Sequence, residues 1–420
     1  MKIAVVGGGI AGLTAAYRLH PRHEVTLFEK SRRVGGNAYG YRTRDGVEVD
    51  IAVAAFGRAG YPNFYKLLDE FGIETAMCPN SFMSFHDLDT NSGIYMTTTL
   101  SGFLTQGLSA LKPSKVWNLA RLPVGLARAQ KLRESGQLDG KTLRELLAMV
   151  PEFTGDTRTI LLCVMCLLSS MSIAELLDAP ARFFLEKLAC HHDVISPKAL
   201  YSVRAIKKGT QAYVRALANR IEGHIRLGAD IRAVVRSAKE GVTLVMESGE
   251  THAFDRVVFA CPADTALKLL DSPTDDERRL LGAWRYKDGR VVLHRDPASF
   301  PPRALVQAYT YLYRKGPDGE IAETSVNGAL WFEPQAPDTC DYFSSQYPNF
   351  DLNPALVEFE TVLRTPVFDF TSVETTKLLP RLNGVRGSYY CGSYFGFGLH
   401  EDAVTSALAV AKAVDAEART

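Results

Sequence analysis

The chain has 420 residues, 46% apolar and 23% charged, which is ordinary globular composition and more than one small core needs. Lysine plus arginine (48) nearly balances aspartate plus glutamate (47), for a net charge of +1, so composition gives no global footprint for a nucleic-acid partner. Seven cysteines, an odd number in mostly apolar contexts, do not look like a disulfide framework and favour a reducing compartment.

Met1-Lys2 runs straight into an apolar strand, so no secretory leader is expected. Ile3-Ala4-Val5-Val6 has the pattern of a short parallel strand buried on both faces. Gly7-Gly8-Gly9-Ile10-Ala11-Gly12 follows, then helical spacing to Leu19, then a second strand, Val25 to Phe28, ending at Glu29. In this G-x-G-x-x-G arrangement Gly7 permits the tight turn, Gly9 lets the backbone approach a pyrophosphate, and Gly12 lets the helix pack closely on the strand. The helix N-terminus at Ile10 and Ala11 offers free N–H groups and a positive dipole end to phosphates. The Glu29 carboxylate can accept hydrogen bonds from ribose hydroxyls. Lys30-Ser31-Arg32-Arg33-Val34-Gly35-Gly36-Asn37 then places a glycine pair after a basic stretch. It is either a second backbone segment lying on the dinucleotide or an ordinary basic turn.

Leu100 to Leu188 reads as predominantly helical, with Lys112, Lys115, Arg121, Arg128, Lys131 and Arg133 scattered among apolar residues. The part from Trp117 to Arg133 suits a membrane surface or a solvated helix face equally. Ile160 to Leu168 is the longest apolar run and is too short to span a bilayer. With the residues up to Met171 it is apolar all round, as in a buried helix or one lining an apolar cavity. Cys163-Val-Met-Cys166 has redox-motif spacing, but inside such a helix it reads as two buried cysteines. Cys190-His191-His192-Asp193 resembles a metal cluster without a second ligand group, so no metal is expected.

Ile225 to Val234 and Val242 to Glu247 alternate like strands, and Asp255 to Pro262 is a strand returning towards the nucleotide domain. Trp284 to Leu293 and Ala304 to Tyr313 are also strand-like. Tyr309, Tyr311, Tyr313, Trp331 and Phe332 supply aromatic surface, either for a substrate or for the sheet core. Near the end, Ser388 to Cys391 is a strand and Gly392 to Gly398 a glycine-aromatic loop. His400-Glu401-Asp402 leads into an alanine-rich helix, Ala403 to Val414. This second helix N-terminus can face the electron-rich end of a reduced flavin ring, which points to FAD rather than NAD. Candidates for proton transfer in this loop are His400, Glu401 and Tyr394, with His400 first because an imidazole titrates near neutral pH. Equally, His400-Glu401-Asp402 caps the helix, with Asp402 as N-cap. One G-x-G-x-x-G leaves no second dinucleotide domain. Electrons then leave to oxygen, a quinone or a partner protein, or never leave because the flavin catalyses isomerisation.

The N-terminal run, the Arg33/Gly35/Gly36 turn, the Asp255–Pro262 strand and the C-terminal loop and helix resemble the FAD-dependent amine oxidase and phytoene desaturase superfamily. Within it, the chain is similar to predicted NAD/FAD-binding proteins associated with cyclopropane-fatty-acid synthases, through Tyr61-Pro62-Asn63, Met83-Ser84-Phe85, Arg290 to His294 with Asp296, and Phe397 to Asp402. The resemblance implies an α/β fold with two interleaved parts. One is a Rossmann-like FAD-binding domain from 1–80, 200–282 and 380–420. The other is an α+β substrate domain, antiparallel sheet plus helices, from 81–199 and 283–379. It also implies FAD held at Gly7, Gly9, Ile10, Ala11, Gly12, Glu29, Lys30, Arg33, Gly35, Gly36, Asn37, Ile231, Cys261, Pro262, Gly392, Ser393, Asp402, Ala403 and Val404. Cys391 stands before the loop glycine, whereas attachment needs a cysteine or histidine that reaches the ring, so the FAD is expected to be non-covalent. Asn37 stands where many amine oxidases have a basic residue, Ser393 where many have an acid, and Thr365-Pro366 replaces a His-Pro pair of the subgroup. The expected activity is a dehydrogenase or desaturase taking a hydride from a hydrophobic acyl, fatty or polyene-like substrate; a double-bond isomerase and an amine oxidase are the alternatives. The expected location is cytoplasmic, with peripheral membrane or acyl-carrier contact as a further expectation.

Overall fold

The computed structural model describes residues 1–52, 56–77, 83–96, 100–106, 113–190, 203–237, 241–337 and 339–419. Among them, Lys2–Val6 is the middle of a five-stranded parallel sheet, flanked by Glu24–Glu29 and Ile225–Leu227 on one side and Arg256–Phe259 and Ser388–Tyr390 on the other. Alternation along the middle strand separates two cores, since successive side chains point to opposite faces. Ile3 and Val5 join Leu13, Val258, Val404 and Val410 under the helices Ile10–Leu19 and His400–Glu417. Ala4 and Val6 join Val234, Leu244, Val257 and Phe259 against a three-stranded antiparallel sheet, Ile231–Ser237, Gly241–Met246 and Thr251–Phe254. The first helix approaches its strand so closely that a Cβ at Gly12 would lie 1.8 Å from the Gly7 carbonyl oxygen.

A seven-stranded sheet forms the other half. Its order is Val357–Val367, Arg285–His294, Phe343–Gln346, Ile321–Ala329, Tyr309–Lys315, Met83–Asp87, Ser92–Tyr95. Neighbours are antiparallel except Tyr309–Lys315 and Met83–Asp87, which run parallel. The helices Pro113–Glu134, Leu143–Met149, Asp156–Ser169, Ile173–Leu177 and Ala181–Cys190 build a layer whose core is continuous with Tyr311, Tyr313, Ile321 and Val326 of that sheet. No helix of the described residues is long and apolar enough to cross a membrane.

The halves are fastened along the segment 50–52. Ser344 donates to the Ile51 carbonyl (2.7 Å), Gln346 to the Ala52 carbonyl (3.4 Å), and the Asp50 N–H donates to Glu333 (3.2 Å).

Two sequence expectations need correction. Ile225 to Val234 is not one strand: Gly228, at φ +66°, turns the chain, so Ile225–Leu227 joins the parallel sheet and Ile231–Ser237 the antiparallel one. The last helix begins at His400 rather than Ala403, because Asp402 lies inside its first turn and reaches back to the N–H groups of Phe397 (2.9 Å) and Leu399 (2.8 Å). Asp402 therefore caps from the third helical position instead of standing as N-cap.

Candidate active site

The two halves enclose a cavity of about 750 Å³. Its nucleotide end is built from three glycine loops. Gly7 leaves the middle strand at φ +110°, and Gly9 precedes the first helix without a side-chain cap, so the N–H groups of the first turn are left for a ligand. A Cβ at Gly9 would meet no protein atom within 4 Å, although the backbone on its other side is packed. Gly35 donates its N–H to the Gly8 carbonyl (2.8 Å), and a Cβ on Gly36, at φ +58°, would press to 3.1 Å from the Gly9 Cα. The basic stretch thus ends in a backbone segment lying against the first glycine loop. Arg33 is not in the cavity wall. It donates to the Gly36 carbonyl (2.8 Å) and stacks on Tyr39, pinning that loop from behind.

Glu29 faces the cavity and accepts one backbone N–H on each oxygen, from Gly8 (2.6 Å) and Ser31 (2.8 Å). Each oxygen keeps a lone pair for a hydroxyl donor, as two ribose hydroxyls would require. Lys30, Asp230 and Ile231 continue the wall beyond it, and Lys30 pairs with Asp230 at 3.3 Å. The glycine cradle, the uncapped N-terminus of the first helix and an acid with spare acceptors match a dinucleotide. Of the expected cofactor positions, all but Gly12, Arg33, Asp402 and Val404 line the cavity. Gly12 serves helix packing, Asp402 holds the loop before the last helix, and Val404 is fully buried beneath that helix.

His400 lines the cavity, and its Nε2 lies 2.8 Å from the Tyr213 hydroxyl, with Phe56 and Phe64 edge-on to the ring. Burial lowers its pKa to about 4. The imidazole is therefore neutral at physiological pH rather than titrating there, which corrects the reason it headed the candidates. Glu401 points away from the cavity. Its carboxylate accepts from the N–H groups of Asn63 (3.0 Å) and Phe64 (2.9 Å) at the start of the helix Pro62–Glu70, an N-terminal anchor rather than a proton donor. Tyr394 lines the cavity and is 2% exposed, and its hydroxyl has no protein partner among the described residues. Burial raises its pKa well above the usual phenol value, so it stays protonated.

Three ionisable cavity residues escape sequence reasoning. Lys187 is 1% exposed and its ammonium lies 4.4 Å from the centre of the Phe368 ring. Burial lowers its pKa to about 7 against the opposing pull of Asp402. The usable signal was its position four residues after Phe183, on the apolar side of its helix. Asp50 and Glu333 form a buried carboxyl pair. Asp50 accepts from the N–H and hydroxyl of Thr210 (2.9 and 2.5 Å), while the Glu333 Oε2 accepts from the Gln335 side chain (2.6 Å) and its Oε1 has no hydrogen-bond partner among the described residues. Burial raises the pKa of both carboxyl groups.

The aromatic and cysteine candidates divide. Tyr309 and Phe332 line the cavity; Tyr311 and Tyr313 are core, Tyr311 stacking on Phe85 with ring centres 4.9 Å apart, and Trp331 packs on Phe343. The apolar helix does both jobs: Ile160 to Cys166 is core, while Leu167 to Ser170 reach the cavity. Cys163 and Cys166 are buried thiols raised by burial, Cys163 to about 12. No metal-holding group of three or more His, Cys, Asp or Glu occurs among the described residues; His191, His192 and Asp193 lie outside them.

Comparison with known proteins agrees with this geometry. The model of the flavin containing amine oxidoreductase family matches residues 10–351. A 4,4'-diapophytoene desaturase of Staphylococcus aureus is 38% identical over 96 residues, 23% of this chain and 17% of that protein. The flavin-dependent L-tryptophan oxidase RebO of Lentzea aerocolonigenes is 27% identical over 333 residues, 70% of this chain and 65% of that one. The match thus spans less than a fifth of the length of that desaturase. Among solved structures, a CLA-producing fatty acid isomerase from P. acnes superposes with a TM-score of 0.66 at 15% identity, covering 98% of both chains. A redesigned putrescine oxidase gives 0.69 at 14%, covering 100% of this chain and 99% of that one. With the family model spanning most of its length and a cavity shaped for a dinucleotide, the chain belongs to the flavin-containing amine oxidoreductases, a family of FAD-dependent oxidoreductase enzymes.

Proposed function

We propose that the protein is a dehydrogenase or desaturase that removes a hydride from a C–H bond of a hydrophobic acyl, fatty or polyene-like substrate. The observation that carries this reading is the make-up of the far half of the cavity, where Met83, Leu167, Leu168, Val326, Leu330, Phe332 and Phe368 form the walls. An extended apolar chain gains about 0.8 kcal/mol per methylene on entering such a space. FAD, when bound, supplies the hydride acceptor; the protein supplies position and electrostatics. In this reading residues 1–80, 200–282 and 380–420 hold the cofactor and 81–199 and 283–379 the substrate. The glycine loops and Glu29 take the pyrophosphate and ribose. The N-terminus of His400–Glu417 presents N–H donors where negative charge develops on the ring. His400 stays neutral and is held by Tyr213, so it orients rather than shuttles protons.

A double-bond isomerase on a similar substrate is the second reading, favoured by the single dinucleotide motif, which leaves electrons no second cofactor to go to. Product mass distinguishes the two. Aerobic incubation of the yellow protein with unsaturated fatty acids and polyenes, followed by mass spectrometry, gives a product two hydrogens lighter from a desaturase. A product of unchanged mass with a moved double bond, formed once the flavin has been chemically reduced without oxygen, selects the isomerase, and turnover of amines alone overturns both.

A further inference from the structure

We propose that the outer face of the helices Leu100–Gln106 and Pro113–Glu134 docks on an anionic lipid bilayer. Eleven large apolar side chains are strongly exposed among the described residues. Five of them, Leu100, Phe103, Leu104, Trp117 and Val124, fall on these two helices, 53% to 74% exposed. On the longer helix the exposed positions recur at Trp117, Ala120, Val124, Ala127 and Lys131, steps of three and four that draw one stripe along its length. On the shorter helix Leu100, Phe103 and Leu104 are spaced i, i+3 and i+4, which puts them on one side of it. Scattered exposed apolar residues are normal, but grouped ones on each of two helices mark an interaction surface.

Charge selects the partner. The chain as a whole carries +1, yet the longer helix contains Lys115, Arg121, Arg128, Lys131 and Arg133 against Glu134 alone, and the shorter one has no charged residue. Arg128 is neutralised by Glu152 at 2.9 Å, which still leaves a local excess of positive charge, with Lys131 exposed at the end of the stripe. Long aliphatic side chains and an indole beside basic residues are the pattern of a helix lying in a membrane interface, where tryptophan settles at headgroup depth. An acidic carrier protein would meet the charges but leave most of this apolar surface in water.

The face also stands where a lipid-derived substrate would arrive. The longer helix packs on Asp156–Ser169 and Ala181–Cys190, which contribute Leu167 to Ser169 and Lys187 to the cavity wall. The shorter one packs on Arg303–Leu305, a few residues before the wall residues Ala308 and Tyr309. One layer of structure therefore separates the proposed docking face from the apolar half of the cavity. Membrane binding by this face does not depend on which reaction the cavity catalyses.

The test is co-sedimentation of the FAD-loaded protein with vesicles of phosphatidylcholine alone and of phosphatidylcholine mixed with phosphatidylglycerol, at low and high salt. The expected result is binding to the anionic vesicles at low salt, weakened about tenfold or more on the neutral vesicles or at high salt, with a blue shift of tryptophan emission that Trp117→Phe abolishes. Leu104→Glu and Trp117→Glu, on the surface and away from the cavity, should lose that binding while keeping their flavin absorbance. No sedimentation with anionic vesicles at low salt overturns the proposal, as does binding that neither variant reduces. Equal binding to neutral vesicles overturns its electrostatic half. A dimer by light scattering that both variants dissolve, without vesicle binding, assigns the face to a second copy of the chain and overturns it as well.

Discussion

Replacing Glu29 by Gln is the most informative single change at the nucleotide end. Both carboxylate oxygens of Glu29 already take a backbone N–H, from Gly8 and Ser31. Glutamine has one oxygen, so its amide nitrogen must face either an N–H group or the ribose, and it presents a donor where an acceptor is needed. A hydrogen bond to a charged group contributes about 1.5–3 kcal/mol. Losing one acceptor for a ribose hydroxyl should therefore weaken FAD binding by about 10- to 150-fold. The assay is titration of the deflavinated protein with FAD, followed by quenching of flavin fluorescence. Thermal melting of the same apoprotein detects any collapse of the 29–37 loop, which would act on the folded state instead of on the ligand. FAD affinity within twofold of the parent, with an intact apoprotein, would refute the placement of the adenosine ribose on Glu29.

Gly36→Ala should reduce FAD retention, because an L side chain at φ +58° costs about 1–2 kcal/mol and its Cβ meets the Gly9 Cα at 3.1 Å; equilibrium dialysis reads the loss. Glu277→Gln should destabilise the fold by about 3–5 kcal/mol. The Glu277 carboxylate is fully buried, and although burial alone would raise its pKa, Arg236, the Tyr390 hydroxyl (2.5 Å) and the Thr274 N–H (2.7 Å) hold it down at about 2. Because the folded value is depressed from 4.5, this stability is present above pH 4.5 and fades as the pH falls towards 2, so urea melts should show the parent losing its advantage over the variant across that window. Lys187→Met should raise stability and flatten its pH dependence. With the amine lowered from 10.5 to about 7, the unfolded chain binds the extra proton between those values, so the parent gains stability as pH rises from 7 to 10.5 and the variant does not. FAD should leave the protein on acid denaturation; a flavin band that stays with the unfolded chain would show a covalent bond instead.

The nucleotide half was legible because its information is local. Gly7, Gly9, Gly12 and Glu29 sit within one strand–helix–strand unit, and each glycine requirement follows from neighbours a few residues away. The Gly35–Gly36 segment was ambiguous until its contact with Gly8 and Gly9 was seen, since a basic turn looks the same in sequence whether or not it folds back. The substrate half was less legible for a tertiary reason. The carboxyl pair needs Asp50, Thr210 and the neighbours Glu333 and Gln335 to converge from three distant places. The same convergence misdirected the reading of His400: the aromatic rings that suppress its titration come from residues 56 and 64, and no spacing rule connects them to position 400. Glu401 looked catalytic beside it, yet the helix turn that aims His400 into the cavity aims Glu401 at the start of another helix.

The measurement that tests the central claim most directly is anaerobic bleaching of the flavin. The purified yellow protein is mixed without oxygen with unsaturated fatty acids, polyenes and amines, and the oxidised-flavin absorbance is followed. Bleaching by an apolar acyl or polyene compound, with no response to amines, is the predicted result. Bleaching by amines alone would contradict the account, and conversion of an unsaturated acid only after chemical reduction of the flavin would replace hydride removal with isomerisation.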